Sequence, residues 1–147
     1  MLDFLFTVVD DGIIDFTTLE LSGKPNQYLM LPEGEFIADP HAISPVLKVR
    51  ADDLAKYFRD VVKNQKKVTL IRESDDGRQL DYVQRTFFMG YPDTITVNFI
   101  DKGADTSTLA IFSRSSYGYS DLGANRRRVQ QWLADRVYAS NKHNRTL

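Results

Sequence analysis

The residues best suited to chemistry are concentrated in one run, Phe112-Ser113-Arg114-Ser115-Ser116-Tyr117-Gly118-Tyr119-Ser120-Asp121-Leu122-Gly123-Ala124-Asn125-Arg126-Arg127-Arg128. Serines, arginines, an aspartate and two glycines gather there where an extended apolar segment gives way to a helical pattern. A strand-to-helix turn points backbone N–H groups outward, and the positive end of the helix dipole reinforces them. Such a run can hold a carboxylate or a phosphate. Arg114, Ser115, Asp121, Asn125 and Arg126 are the candidate binding groups, and Trp132 offers apolar lining further along the helix. The competing reading is structural. Gly118 and Gly123 would permit the turn, at least one of them through a positive φ or a close backbone contact, while Asp121 caps the helix. Arg114 and Arg126 would then pair with carboxylates such as Asp121, Asp93 or Asp81.

Other chemistries find less support. The chain has no cysteine, which removes disulfides, thiol nucleophiles and thiolate metal sites. Its histidines, His41 in a Gly/Pro-rich loop and His143 in the polar tail, have no metal-site spacing and neither adjoins the serine-rich turn. No Gly-x-Ser-x-Gly elbow, Ser-x-x-Lys pair, phosphate loop or dinucleotide fingerprint occurs, so no cofactor is implied and a non-enzymatic role is favoured.

Charge is balanced, with 19 basic and 20 acidic residues among 147, and 42% of the chain is hydrophobic. No global field favours nucleic acid, which is disfavoured as a partner despite Arg126, Arg127 and Arg128. The charge is nonetheless uneven. Residues 1–40 hold eight acids and only Lys24, whereas residues 125–147 hold six bases and only Asp135. The two ends are expected to lie near each other or to be simply solvated. The apolar start, Met1 to Val9, is broken by Asp3 and too short for a signal peptide or a spanning helix.

The pattern S-x-S-x-x-G-x-S-D-x-G-x-N-R-x-R from Ser113 to Arg128 resembles the signature of domain of unknown function 1499, a bacterial and plant family. Pro25-Asn26, ahead of an extended segment, is a second resemblance, and the likeness spans roughly Pro25 to Leu133. It departs at Ser116, where many relatives carry a second arginine, and this weakens the anion-pocket reading. The resemblance brings no biochemical activity. It implies association with the bacterial envelope, because members often carry an N-terminal membrane segment; this chain is expected to be a soluble member or a trimmed one.

The elements that must position the run can be read in order. Residues 1–24 form an arm with one short strand near Ile13–Phe16. Pro25-Asn26 turns the chain into a short strand, Glu33 to Pro45 is loop, and Val46–Val49 is a strand. Ala51 to Gln65 is an amphipathic helix, with Leu54, Tyr57, Phe58, Val61 and Val62 on one face. Four strands follow, Val68–Glu73, Leu80–Phe88, Thr94–Ile100 and Thr106–Ser113, the first pair joined at Asp75-Asp76-Gly77. A second helix from about Asp121 to Ser140, capped by Ser120 or Asp121, places Leu122, Arg126, Val129, Leu133 and Val137 inward and Arg127 and Arg128 outward. Residues 25–140 then make one α+β domain and 141–147 a polar tail.

This order, strand-helix-four strands-helix, predicts a single antiparallel sheet of about five strands with both helices on one face. It matches TATA-box-binding-like and helix-grip-like arrangements. Two functions follow as expectations. One is a domain binding a small amphiphilic or lipid-like ligand between the sheet and the C-terminal helix, its tail beside Trp132 and its head group near Ser115, Asp121 and Arg126. The other is an interaction or scaffolding module that binds an envelope protein and no small ligand. Bulky side chains such as Phe87, Phe99 and Trp132 could instead fill the predicted cavity.

Overall fold

The computed structural model describes residues 7–86 and 90–134. Strands β1 (Gln27–Leu31) and β2 (Ala42–Ile43) precede helix α1 (Ala51–Lys63). Strands β3 (Val68–Glu73), β4 (Gln79–Arg85), β5 (Pro92–Asp101) and β6 (Ser107–Ser115) form the meander, and α2 (Ala124–Ala134) closes the described chain. The six strands make one sheet in the order β2-β1-β6-β5-β4-β3. The expected α+β class and the run of four antiparallel strands are therefore present, with two corrections.

The first concerns strand number and direction. β2 pairs parallel to β1, Met30 opposite Ala42 and Leu31 opposite Ile43, so the sheet is mixed and has six strands rather than about five in purely antiparallel order. Only two residues long and flanked by Pro40 and Pro45, β2 is too short to carry an alternation pattern. The second concerns Val46–Val49. Pro45 has no N–H to donate, and only Leu47 joins the sheet, through an isolated bridge to Ser107. Likewise Ile13–Phe16 is not a strand; Phe16 packs instead on a sheet face with Leu29, Leu31 and Phe112.

Alternation along β5 decides which side chains face which layer. Ile95, Val97 and Phe99 join Leu54, Phe58, Val61 and Val62 of α1 and Val129, Trp132 and Leu133 of α2 in the main core. Both helices thus cover one face, as the pattern required. Asp52 and Asp53 sit in the first turn of α1 and Lys63 in its last, in the sense that suits the helix dipole. The opposite face holds a smaller core of Phe16, Leu29, Leu31, Ala38, Ala110 and Phe112, flanked by Ile14, Leu19, Leu21, Phe36 and Ile100. Residues of the N-terminal arm supply much of that second layer.

The helix side is well filled. Phe58 meets Phe99, Trp132 and Tyr82 with ring centroids at 5.4, 6.0 and 6.2 Å. Tyr82 meets Trp132 edge-on at 6.2 Å. Phe87 and Phe88, and the part of the second helix expected beyond Ala134, lie outside the described residues.

Candidate functional site

The six residues singled out from the sequence fall in four different places. Arg114 lies on the arm face of β6, Ser115, Asp121 and Asn125 meet where α2 begins, Trp132 is in the helix-side core, and Arg126 is exposed. The expected inward Arg126 is corrected to Arg128, which is buried at 9% exposure. Leu122, placed inward from the sequence, is 85% exposed at φ +53°. The helix starts at Ala124 rather than about Asp121, so its buried stripe is Asn125, Arg128, Val129, Trp132 and Leu133. That i, i+3, i+4, i+7, i+8 spacing was available in the sequence, and starting it at Leu122 gave the wrong phase.

Asn125 and Arg128 knot the start of α2 to three strands. Asn125 is fully buried. The two N–H groups of its Nδ2 are shared among the Asn26 carbonyl (3.0 Å), Ser115 Oγ (2.9 Å) and Asp121 Oδ2 (2.6 Å). Its Oδ1 accepts from Ser113 Oγ (2.6 Å) and Arg128 Nη1 (2.7 Å). Arg128 also donates from Nε to Gln84 Oε1 (2.6 Å) and from Nη2 to Asp93 Oδ2 (2.6 Å). Burial pushes the Asp93 carboxyl up from its ordinary value, and the Arg128 guanidinium offsets only part of that. Burial acts on Asp121 too. There the N–H groups of Asn125 and Gly123 prevail and hold its carboxyl below the usual range. The signature run is thus largely internal wiring, with its donors turned onto acceptors of the run and of neighbouring segments.

The turn itself follows the expectation for its glycines. Gly118 has φ +83° and Gly123 φ +82°, in the region that L side chains rarely adopt. A Cβ at Gly118 would meet no atom within 4 Å, so Gly118→Ala should cost about 1 kcal/mol from backbone strain alone. Urea titration checks this; an unchanged midpoint would refute it. His41 also has a structural duty. It stacks on Tyr28 with centroids 5.5 Å apart, and its Nδ1 accepts the Leu29 N–H at 2.9 Å.

The arm face carries an arrangement that no motif announced. A ladder of polar side chains crosses four strands. Arg72 Nη1 of β3 donates to Asp81 Oδ2 of β4 (2.9 Å), and Thr96 Oγ1 of β5 donates to Asp81 Oδ1 (2.5 Å). Arg114 Nη1 of β6 donates in turn to Thr96 Oγ1 (2.8 Å). Consecutive aspartates of the arm close both ends. Asp10 accepts from Arg72 Nη2 at 2.6 Å, and Asp11 takes Arg114 in a bidentate pair at 2.7 and 3.0 Å. Gly12, which follows them, has φ +83° and donates its N–H to Asp10 Oδ1 at 2.8 Å. The acidic N-terminal region therefore pairs with arginines of the sheet.

Beside this ladder a groove of about 740 Å³ runs between arm and sheet. Ile13, Ile14, Phe16, Phe36 and Ile100 provide its apolar lining, and Asp15, Arg72, Glu73, Ser74, Asp75, Asp76, Gln79, Asp81 and Asn98 its polar one. Arm and sheet hold each other here, Gln79 Nε2 donating to the Ile14 carbonyl (2.8 Å) and Arg72 Nη1 to that of Gly12 (3.2 Å). Among the described residues no cluster of His, Cys, Asp and Glu could hold a metal, and no helix is long and apolar enough to cross a membrane.

Fold and site together define an α+β domain with two helices on one sheet face and an arm-walled groove on the other. The chain belongs to the family described as "Protein of unknown function (DUF1499)", which matches residues 19–135. No curated protein sequence matches it. Among solved structures it is distantly similar to the di-domain ARO/CYC BexL of the BE-7585A biosynthetic pathway, at 12% identity and a TM-score of 0.44. That likeness covers 71% of this chain, which spans only 45% of BexL. It is similar as well to a START superfamily protein from Mycobacterium smegmatis, at 7% identity and a TM-score of 0.39 over 68% of this chain and 94% of that one. A Thermobifida fusca protein solved by NMR gives 10% identity and 0.39 over 69% and 86%.

Proposed function

We propose that this domain is a non-enzymatic carrier or sensor that holds a small amphiphilic molecule in the groove between the arm and the sheet. One observation carries the reading. About 740 Å³ of groove combines an apolar wall of Ile13, Ile14, Phe16, Phe36 and Ile100 with a polar wall from β3, β4 and their turn. That volume is in the range of small-molecule sites, and an amphiphile matches both walls. The polar groups around it are engaged with one another, an arrangement suited to shaping a site rather than to moving a proton. The location differs from that expected between sheet and C-terminal helix, where Phe58, Tyr82, Phe99 and Trp132 occupy the space.

Decanol titrated into isotope-labelled protein should give saturable amide shifts centred on Ile13 to Thr17, Gln79 and Asn98. Ile14→Glu should abolish them. No saturable shift would remove this reading. It would favour an interaction module, for which exposed Ile43 and Val46 beside the edge strand β2 provide an apolar contact surface. Trp132, 1% exposed in the other core, is not expected to report on the groove.

A further inference from the structure

We infer that the molecule held in this groove carries a positively charged, hydrogen-donating head group, that is, an aliphatic ammonium rather than a carboxylate or a phosphate. The inference rests on the amphiphile reading and specifies its ligand. Two independent observations lead to it.

The first is the state of the hydrogen-bond donors. Each side-chain donor lining the groove already donates within the protein. Arg72 donates to Asp10, Asp81 and the Gly12 carbonyl. Gln79 donates to the Ile14 carbonyl, and Asn98 to Gln79 Oε1. Ser74 donates to Asp76 and Thr17 to Asp15. Each carboxylate, by contrast, has several lone-pair sites. A head group that donates would meet these carboxylate lone pairs, whereas one that accepts would find only the remaining N–H groups of side chains already anchored to acceptors of the protein.

The second is charge. Asp15, Glu73, Asp75, Asp76 and Asp81 line the groove against one guanidinium, Arg72. Arg72 is already shared between the Asp10 and Asp81 carboxylates. Glu73 is paired outward with Arg59, and the other carboxylates keep the lining acidic. The two walls are also segregated. Ile14, Phe16, Phe36 and Ile100 belong to the apolar layer under the arm. Glu73, Ser74, Asp75 and Asp76 come from edge strand β3 and the turn that follows it. A hydrocarbon tail under the arm would therefore bring its head group to the acidic turn, where a cation is attracted and an anion repelled.

The test compares decylammonium, decanoate and decanol at pH 7 by calorimetry, each below its micelle concentration, with the full chain. Decylammonium should bind roughly tenfold tighter than decanoate at low ionic strength, and the gap should narrow with added salt because the rim charges are exposed. Asp75→Asn, an exposed change on the turn, should lower decylammonium affinity severalfold and leave decanol unaffected. Equal or tighter binding of decanoate overturns the inference and leaves the amphiphile reading in place. No saturable binding of any of the three overturns that reading, and this inference with it.

Discussion

Arg128→Ala is expected to destabilise the protein by about 3–5 kcal/mol, the usual cost of removing one partner from a buried ion pair. Arg128 and Asp93 are 9% and 2% exposed, and the guanidinium also holds Gln84, Ser113 and Asn125. Without it the Asp93 carboxylate stays buried with no countercharge. The loss should depend on pH, and the sign is set by Asp93. Burial already raises its folded-state carboxyl above the unfolded value, and removing Arg128 raises it further. A group with a raised folded pKa favours the folded state at low pH and opposes it as pH rises. The deficit of Arg128→Ala should thus be smaller near pH 4 than at pH 7. Pairing Arg128→Met with Asp93→Asn should recover part of it, since no charge then remains buried. Exposed Arg126→Ala should stay within about 0.5 kcal/mol in the same urea titrations. Equal losses at the two arginines would contradict the helix phase described here.

Phe58→Ala should be comparably damaging, at about 3–5 kcal/mol. Phe58 is fully buried at the centre of the aromatic cluster and joins α1 to β4, β5 and α2 through Tyr82, Phe99 and Trp132. Its removal strips three ring contacts at once and leaves a void between two layers that cannot both relax inward. Near-UV circular dichroism should weaken along with the denaturation midpoint, because Tyr82 and Trp132 lose their neighbour. A loss below about 1 kcal/mol would mean that α1 is held by something other than this cluster.

Much of the framework was legible from local pattern. Leu54, Phe58, Val61 and Val62 mark α1 by spacing, and strict alternation in β5 separates Ile95, Val97 and Phe99 from Thr94, Thr96 and Asn98. The signature run was recognised as well, including the need for a special backbone position at one of its glycines at least; both have positive φ. What escaped depends on contacts distant in sequence. Nothing near Ala42–Ile43 announces a parallel partner, because two residues show no period. The place of Arg128 hinged on where α2 starts, a boundary set by Asp121 binding the N–H groups of Gly123 and Asn125. The groove was hidden for a different reason. Its walls come from an arm with no regular structure and from the sheet face away from the helices, and only the folded chain brings Asp10 to Arg72 and Asp11 to Arg114.

The sheet order has a consequence for how the protein is made. β1 finds its antiparallel neighbour in β6, and Asp11 meets an arginine 103 residues further along the chain. During synthesis the meander from β3 to β6 can pair strand by strand between sequence neighbours, whereas β1 must wait for β6 to emerge. Until then Leu29, Leu31 and Phe16 have no layer to join, and this opening segment is what a nascent-chain chaperone would meet. Docking of the arm is the long-range step that both completes the second core and encloses the groove. A partly made chain therefore has an open second layer, which closes only when β6 has joined β1.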